Sequence, residues 1–109
     1  MSTAARNIFT GAAAPTGLER CLTLFESAGA RVERIVSNVH RSPAGFWYDQ
    51  PEDEWVIVVR GQATLKFAGG ESVALRAGDH VTIASHVKHR IMETSSKTIW
   101  LAVHVKPQR

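Results

Sequence analysis

Four side chains in the middle and second half of the chain are of types that ligate metals or move protons. Tyr48 and Gln50 are two positions apart, and Glu54 follows Gln50 by four residues. His89 lies further along the chain. A carboxylate, an amide oxygen and an imidazole nitrogen all suit a borderline divalent cation, so Gln50, Glu54 and His89 are predicted metal ligands. Tyr48, a poor ligand unless ionised, is predicted to wall the pocket and joins Glu54 and His89 as a candidate catalytic residue.

Extended chain segments would have to bring these four residues together. Alternate residues of a strand point to the same face, so Tyr48 and Gln50 would share one. Glu54 opens the next predicted strand, after the turn at 51–53, and His89 opens a later one. Strands that close into a barrel direct their inward residues to one mouth. We therefore expect a single site at the mouth of a barrel.

The chain after Gly29 has the pattern of an all-β domain. Short runs of Val, Ile, Thr and aromatic residues alternate with turn residues, and the pair Gly69-Gly70 is a hairpin signal. The predicted strands are 30–38, 45–50, 54–60, 63–68, 71–75, 80–84, 89–93 and 97–105. About eight strands with no helix between them favour an antiparallel sandwich or barrel.

The first part of the chain has a different pattern. Residues 1–15 are mostly small and aperiodic, which predicts a flexible arm. Apolar residues then recur at helical spacing, namely Leu18, Leu22 and Phe25. With Gly29 as a stop, this spacing predicts a short helix over 17–28. The domain would occupy 16–109, with its barrel at about 30–105.

Composition limits the class of protein. A chain of 109 residues makes one domain. The 13 Lys and Arg exceed the 10 Asp and Glu, giving a net charge of +3, but the basic residues lie singly, so no nucleic-acid partner is expected. The longest uncharged stretch, 7–18, is too short for a membrane span, and no secretory signal is recognisable. A single cysteine, Cys21, excludes an internal disulfide and predicts a cytoplasmic protein.

A two-part motif resembles the signature of the cupin superfamily, in particular small single-domain bacterial cupins of the RmlC-like kind. The matching positions are Glu54, Gly61, Gly78 and His89. Tyr48 and Gln50 stand where the family's first motif has two histidines, so that motif is degenerate here. The resemblance covers roughly residues 32–105.

The resemblance implies a jelly-roll barrel, the double-stranded β-helix, holding one divalent ion such as Mn, Fe, Ni or Zn. It implies a small polar or carboxylate-bearing ligand, a homodimer, and isomerase, decarboxylase or dioxygenase chemistry, among which the residues do not choose. Two metal-free alternatives stay open. One is a binding or sensing module, and the other is an epimerase-like enzyme with His89 as base and Tyr48 as acid.

Two further histidines are candidates for an additional ligand. His104 shares a strand face with Trp100 and Ala102. The opposite face carries Ile99, Leu101 and Val103. Ile99, Leu101 and Val103 form the more regular apolar stripe, so they are predicted to face the core. His104 would then face solvent. His40, near a predicted loop, is the other histidine left open.

Overall fold

The computed structural model describes residues 3–108, which form eight β-strands in two antiparallel sheets. The strands are β1 Glu19–Ser27, β2 Ala30–Ser37, β3 Asp53–Arg60, β4 Gln62–Phe67, β5 Ser72–Arg76, β6 His80–Ile83, β7 His89–Thr94 and β8 Thr98–Val105. One sheet has the order β1-β2-β8-β3-β6 and the other β5-β4-β7. The predicted all-β fold is confirmed. Within the described residues, no helix has the length and apolar character needed to cross a membrane.

The core lies between the two sheets and becomes polar towards one end. Its buried apolar members are Val56, Val58, Ala63, Leu65, Leu75, Ile83, Ile91, Trp100 and Ala102. Burial of each large aliphatic side chain contributes about 1.5–3 kcal/mol. On β3 the inward positions begin with Glu54, which pairs across the ladder with His104 on β8. Both are buried, so the inner surface changes from apolar to ionisable at this end of the barrel.

The prediction of a helix over 17–28 is wrong, because most of this segment is the edge strand β1. It pairs antiparallel with β2 through a two-residue turn at 28–29. A bulge between Thr23 and Phe25 shifts the register by one residue, so Leu22 and Phe25 lie opposite Arg34 and Val32, on the same face. Apolar residues three apart therefore share a face, as they would on a helix. The bulge, which the sequence does not mark, produced the helical spacing.

The predicted strand at 45–50 is reduced to a single bridge between Tyr48 and His89. Ser42 donates its backbone N–H to the Ile91 carbonyl, and Tyr48 donates to that of His89. Ser42 and Tyr48 are six residues apart, whereas their partners on β7 are only two apart. The extra residues bulge out through a turn at Gly45, whose φ is +80°. This bulge prevents a regular ladder while keeping Tyr48 fixed against β7.

The predicted arm at 1–15 lies against the outer face of the larger sheet over its described part, residues 3–15; its first two residues lie outside the described residues. Ala12 is buried there with Val36 and Ile99. Ala14 accepts a hydrogen bond from the side chain of Asn38, at 2.8 Å. The arm therefore covers part of a sheet face that would otherwise expose apolar side chains.

Arg34 holds this arm to β2, and its replacement tests the contact. Its Nη1 donates to the carbonyls of Ile8, at 3.1 Å, and Thr10, at 2.8 Å. Arg34→Met keeps the aliphatic stem but removes both bonds, each worth about 1 kcal/mol or more. We expect the backbone amides of Thr10 and Ala12 to exchange hydrogen at least about fivefold faster. Arg20→Met, an exposed arginine of β1 with no such bond, is the control; equal exchange rates in both variants would contradict the clamp.

Candidate functional site

A cavity of about 130 Å³ opens between the sheets at the polar end of the core. All four residues singled out in the sequence line it: Tyr48, Gln50, Glu54 and His89. Its remaining lining is largely apolar, with Trp100 among the contributors. The structure therefore brings the predicted residues together at one end of the barrel, as expected from the closure of the strands.

Adjacent strands hold Glu54 and His89 in place. Glu54 is the second residue of β3 and pairs with His104 on one side and Ile83 on the other. His89 is the first residue of β7, pairs with Phe67 on β4, and is bridged by Tyr48 on its other side. Because each backbone is bonded on both sides, the two side chains have little freedom to move apart.

The His89 ring presents one nitrogen to the cavity. Its Nδ1 lies 2.9 Å from the Val87 carbonyl oxygen, which can only accept, so Nδ1 carries the proton. In the neutral ring Nε2 then has a free lone pair. Its nearest charged group is Glu54, with Oε1 at 3.7 Å from Nε2. This is the tautomer needed for ligation or for taking up a proton through Nε2.

Glu54 is a buried carboxylate, 8% exposed, which is costly unless its charge is compensated. Gln50 Nε2 donates to its Oε1 at 2.8 Å, and His89 lies on the same side. A half-turn of the Gln50 amide would exchange nitrogen for oxygen and direct an acceptor to the same place. Gln50, Glu54 and His89 therefore form one compact donor set.

Tyr48 forms a wall of the cavity. Its hydroxyl donates to Glu19 Oε1 at 3.0 Å, and its ring stacks on that of His89 with centroids 5.4 Å apart. Burial, reinforced by the charge of Glu19, raises the pKa of the Tyr48 phenol well above its ordinary value. The phenol therefore stays neutral, in agreement with a wall residue rather than an anionic ligand.

The prediction for the β8 face was wrong. Trp100, Ala102 and His104 are buried and face inward, whereas Leu101 and Val103 are half-exposed on the outer face. Two carboxylates lie near the buried imidazole. Glu33 Oε1 is 2.9 Å from His104 Nε2, and Glu52 Oε1 is 3.9 Å from Nδ1. Neither ring nitrogen makes a hydrogen bond within the described residues.

The two open histidines lie beside the donor set rather than within it. His104 pairs with Glu54 across the ladder but is directed towards Glu33, and it does not line the cavity. His40 is also not among the residues that line the cavity, and its Nε2 lies 3.7 Å from Glu19 Oε2. Neither histidine reaches Gln50 or His89 through a described contact.

Sequence reasoning missed three cavity residues on the β1–β2 hairpin: Glu19, Cys21 and Glu33. Glu19 and Cys21 were hidden by the helix predicted for their segment. Glu33 had a usable signal, since it alternates with Ile35 in a correctly predicted strand, and Ile35 packs against the core. Partial burial of Cys21 at the cavity wall, followed by the charges of the neighbouring glutamates, raises the pKa of its thiol to about 11.

The donor set suits a metal ion only if Gln50 takes part. Within residues 3–108, no three side chains of the His, Cys, Asp and Glu types approach closely enough to hold one. An amide oxygen with one imidazole and one carboxylate completes three protein donors, and such a set leaves positions for water or a ligand. The buried Glu54 charge and the free Nε2 of His89 fit this use.

The comparisons with known proteins agree on the family. A family model described as a cupin domain matches residues 40–104. A candidate mannose-6-phosphate isomerase from Ralstonia eutropha JMP134 is 38% identical, with a TM-score of 0.89 over 95% of this chain and 99% of that one. A search of curated proteins gave no match.

More distant structures share the fold. A cupin superfamily protein from Desulfitobacterium hafniense DCB-2 is 12% identical, with a TM-score of 0.80 over 98% of this chain and 94% of that one. An RmlC-like cupin with a double-stranded β-helix from Methanocaldococcus jannaschii is 17% identical, with a TM-score of 0.70 over 84% and 83% of the two chains. The predicted jelly-roll architecture is thereby confirmed.

Proposed function

This chain belongs to the cupin family, and we propose that it binds one divalent metal ion through Gln50, Glu54 and His89, together with a small organic molecule. The observation that carries the proposal is the commitment of His89 Nδ1 to the Val87 carbonyl. It leaves Nε2 free beside a buried carboxylate, the arrangement that neutral imidazole ligation requires.

A bound divalent ion would supply a Lewis acid that polarises a carbonyl or hydroxyl of the ligand. Glu54 would contribute the only formal negative charge of the donor set, and His89 and Gln50 would fix its geometry. Mn, Fe, Ni and Zn all suit such mixed nitrogen and oxygen donors. Among the reactions of the family, isomerisation is supported by the name of the Ralstonia relative.

The phosphorylated substrate in that relative's name is not carried over to this chain. The described lining of the cavity contains no Lys or Arg, which are the usual partners of a phosphate. Three glutamates line it instead. Their negative charges would repel a carboxylate, so a carboxylate-bearing ligand is disfavoured as well.

Elemental analysis of protein purified without added metal or chelator tests the proposal. We expect close to one divalent ion per chain, or stoichiometric uptake of one when Mn²⁺, Fe²⁺, Ni²⁺ and Zn²⁺ are titrated against a metal-sensitive dye. Affinity should fall on acidification, because protons compete for the imidazole and the carboxylate. A wild-type protein that takes up none of the four ions would overturn the metal site.

A metal-free acid–base function is the second candidate, favoured by the contact between Glu54 and His89. A carboxylate 3.7 Å from Nε2 stabilises the protonated imidazole after His89 has accepted a proton. Tyr48 is the less suitable acid in this scheme, because its hydroxyl already donates to Glu19. Failure of metal uptake with retention of ligand binding would favour this candidate.

We also propose that the protein is a homodimer formed through the outer face of its larger sheet. Beyond the part covered by the arm, this face presents apolar side chains from β1, β2, β3 and β8. They are Leu22, Phe25, Val32, Trp55, Ile57, Leu101 and Val103. Phe25 is 61% exposed and Leu22 is 49% exposed. A contiguous apolar surface of this kind is typical of an interface with another protein chain.

Sedimentation tests the dimer directly. At micromolar concentration we expect the wild type to sediment at twice the 12.0 kDa chain mass. Phe25→Asp should shift it to the single-chain mass without loss of the fold, because Phe25 is exposed in the isolated chain. Met92→Asp, at an exposed position of the smaller sheet, should leave the dimer intact. A wild type that remains single-chain would remove the interface.

A further inference from the structure

The cavity carries an excess of negative charge. Glu19, Glu33 and Glu54 line it from three different strands or strand ends, and none of its described lining residues is Lys or Arg. A divalent ion held by Glu54 would balance part of this charge. The carboxylates of Glu19 and Glu33, on β1 and β2, would still line the cavity.

These two carboxylates are unequally compensated. Glu33 has His104 Nε2 at 2.9 Å and Arg31 Nε at 3.7 Å. Glu19 receives the neutral Tyr48 hydroxyl at 3.0 Å and has His40 Nε2 at 3.7 Å. No permanently charged cation is described beside Glu19, so its end of the cavity is the more negative.

The cavity also presents a hydrogen-bond acceptor. His89 is 5% exposed and lines the cavity. Its Nδ1 is bonded to the Val87 carbonyl, so its Nε2 can accept a hydrogen bond from a ligand or bind a metal ion. Below it, Ile35, Leu65 and Trp100 provide an apolar floor.

We infer that the organic ligand of this site is a small cation, a protonated amine on a short apolar body, an inference that rests on the small-molecule site proposed above. The ammonium would lie at the Glu19 end, where its N–H groups can reach a carboxylate and its charge can face the Tyr48 ring. The apolar body would cover the floor, and the volume of about 130 Å³ limits it to a few carbon atoms.

Three probes with the same four-carbon chain test the charge of the ligand: butylammonium, 1-butanol and pentanoate. Their affinities are measured by chemical-shift titration of the ¹⁵N-labelled protein stripped of metal, because pentanoate would itself ligate a bound metal ion. We expect butylammonium to bind at least about tenfold more tightly than pentanoate, with 1-butanol between them. A preference for pentanoate in the stripped protein, or no preference among the probes, would overturn the inference.

A matched pair of variants locates the effect. Glu19→Gln should weaken butylammonium binding by roughly fivefold or more while leaving 1-butanol nearly unchanged, because only the charged probe uses the carboxylate. Glu71→Gln removes an exposed carboxylate from the turn between β4 and β5 and should change neither affinity. Equal losses for both probes in Glu19→Gln would indicate a structural role and contradict the assignment.

The outcomes separate this inference from the metal proposal. Metal uptake without discrimination among the probes refutes the amine ligand and leaves the metal site standing. Preference for butylammonium with dependence on Glu19, in a protein that takes up no metal, supports the amine ligand and refutes the metal site.

Discussion

Replacement of Glu54 by glutamine is expected to lower the affinity of the protein for divalent metal by at least about tenfold. Substitutions that only adjust a ligand from outside already cost about 10–100-fold. Glu54→Gln removes the one negative charge among the three donors while keeping its shape. It also leaves Gln50 within reach of an amide oxygen, so the local hydrogen bond at 2.8 Å can persist. The measurement is competition for the metal with a metal-sensitive dye.

Two further variants decide whether the loss reflects ligation. His89→Ala should reduce affinity to a similar degree, since it removes the free Nε2. Tyr48→Phe should leave metal affinity nearly unchanged, because its hydroxyl is bonded to Glu19 and its ring is retained. If Glu54→Gln and His89→Ala bind all four ions as the wild type does, the metal site is wrong.

Gly61→Ala is expected to destabilise the fold by about 2–5 kcal/mol. About 1–2 kcal/mol comes from placing a side chain at a φ of +84°, and about 1–3 kcal/mol from overpacking. The new Cβ would lie 2.6 Å from Ser95 Oγ, 2.7 Å from the Lys97 carbonyl oxygen and 2.8 Å from Thr98 Oγ1. Thr98 is fully buried and cannot move aside. Urea denaturation followed by tryptophan fluorescence measures the change.

Gly78→Ala separates the two contributions. Gly78 has a similar φ of +95°, but an added Cβ would meet nothing within 4 Å. It should therefore cost only the backbone part, about 1–2 kcal/mol. Equal free-energy changes at Gly61 and Gly78 would show that the close approach to Ser95 and Thr98 has no energetic weight.

Much of the barrel could be predicted because its strands alternate regularly between turns. The strand predicted at 30–38 is observed at Ala30–Ser37, and the one predicted at 97–105 at Thr98–Val105. Alternation is a local property, so it can be read from the sequence. β1 could not be read in this way. Its identity depends on pairing with β2 and on a bulge that imitates helical spacing.

The site was predictable to the extent that motif spacing determines it. Strand closure and the resemblance of the motif placed Gln50, Glu54 and His89 at one barrel mouth, and they share one cavity. Glu19 could not be found, because it comes from the misread segment. The inward face of β8 was also misjudged. The carboxylates that lie near the buried His104 belong to Glu33 and Glu52, which are distant in the sequence.

The β1–β2 hairpin supplies Glu19, Cys21 and Glu33, whereas Glu54 and His89 belong to later strands. The acidic hairpin part of the lining and the donor set are thus encoded by separate stretches of the gene. β1 is an edge strand bonded to a single neighbour, so it tolerates exchange more easily than a central strand does. A library of β1–β2 hairpins joined to the unchanged rest of the chain would therefore vary the charge selectivity of the cavity. The donor set of Gln50, Glu54 and His89 would stay the same.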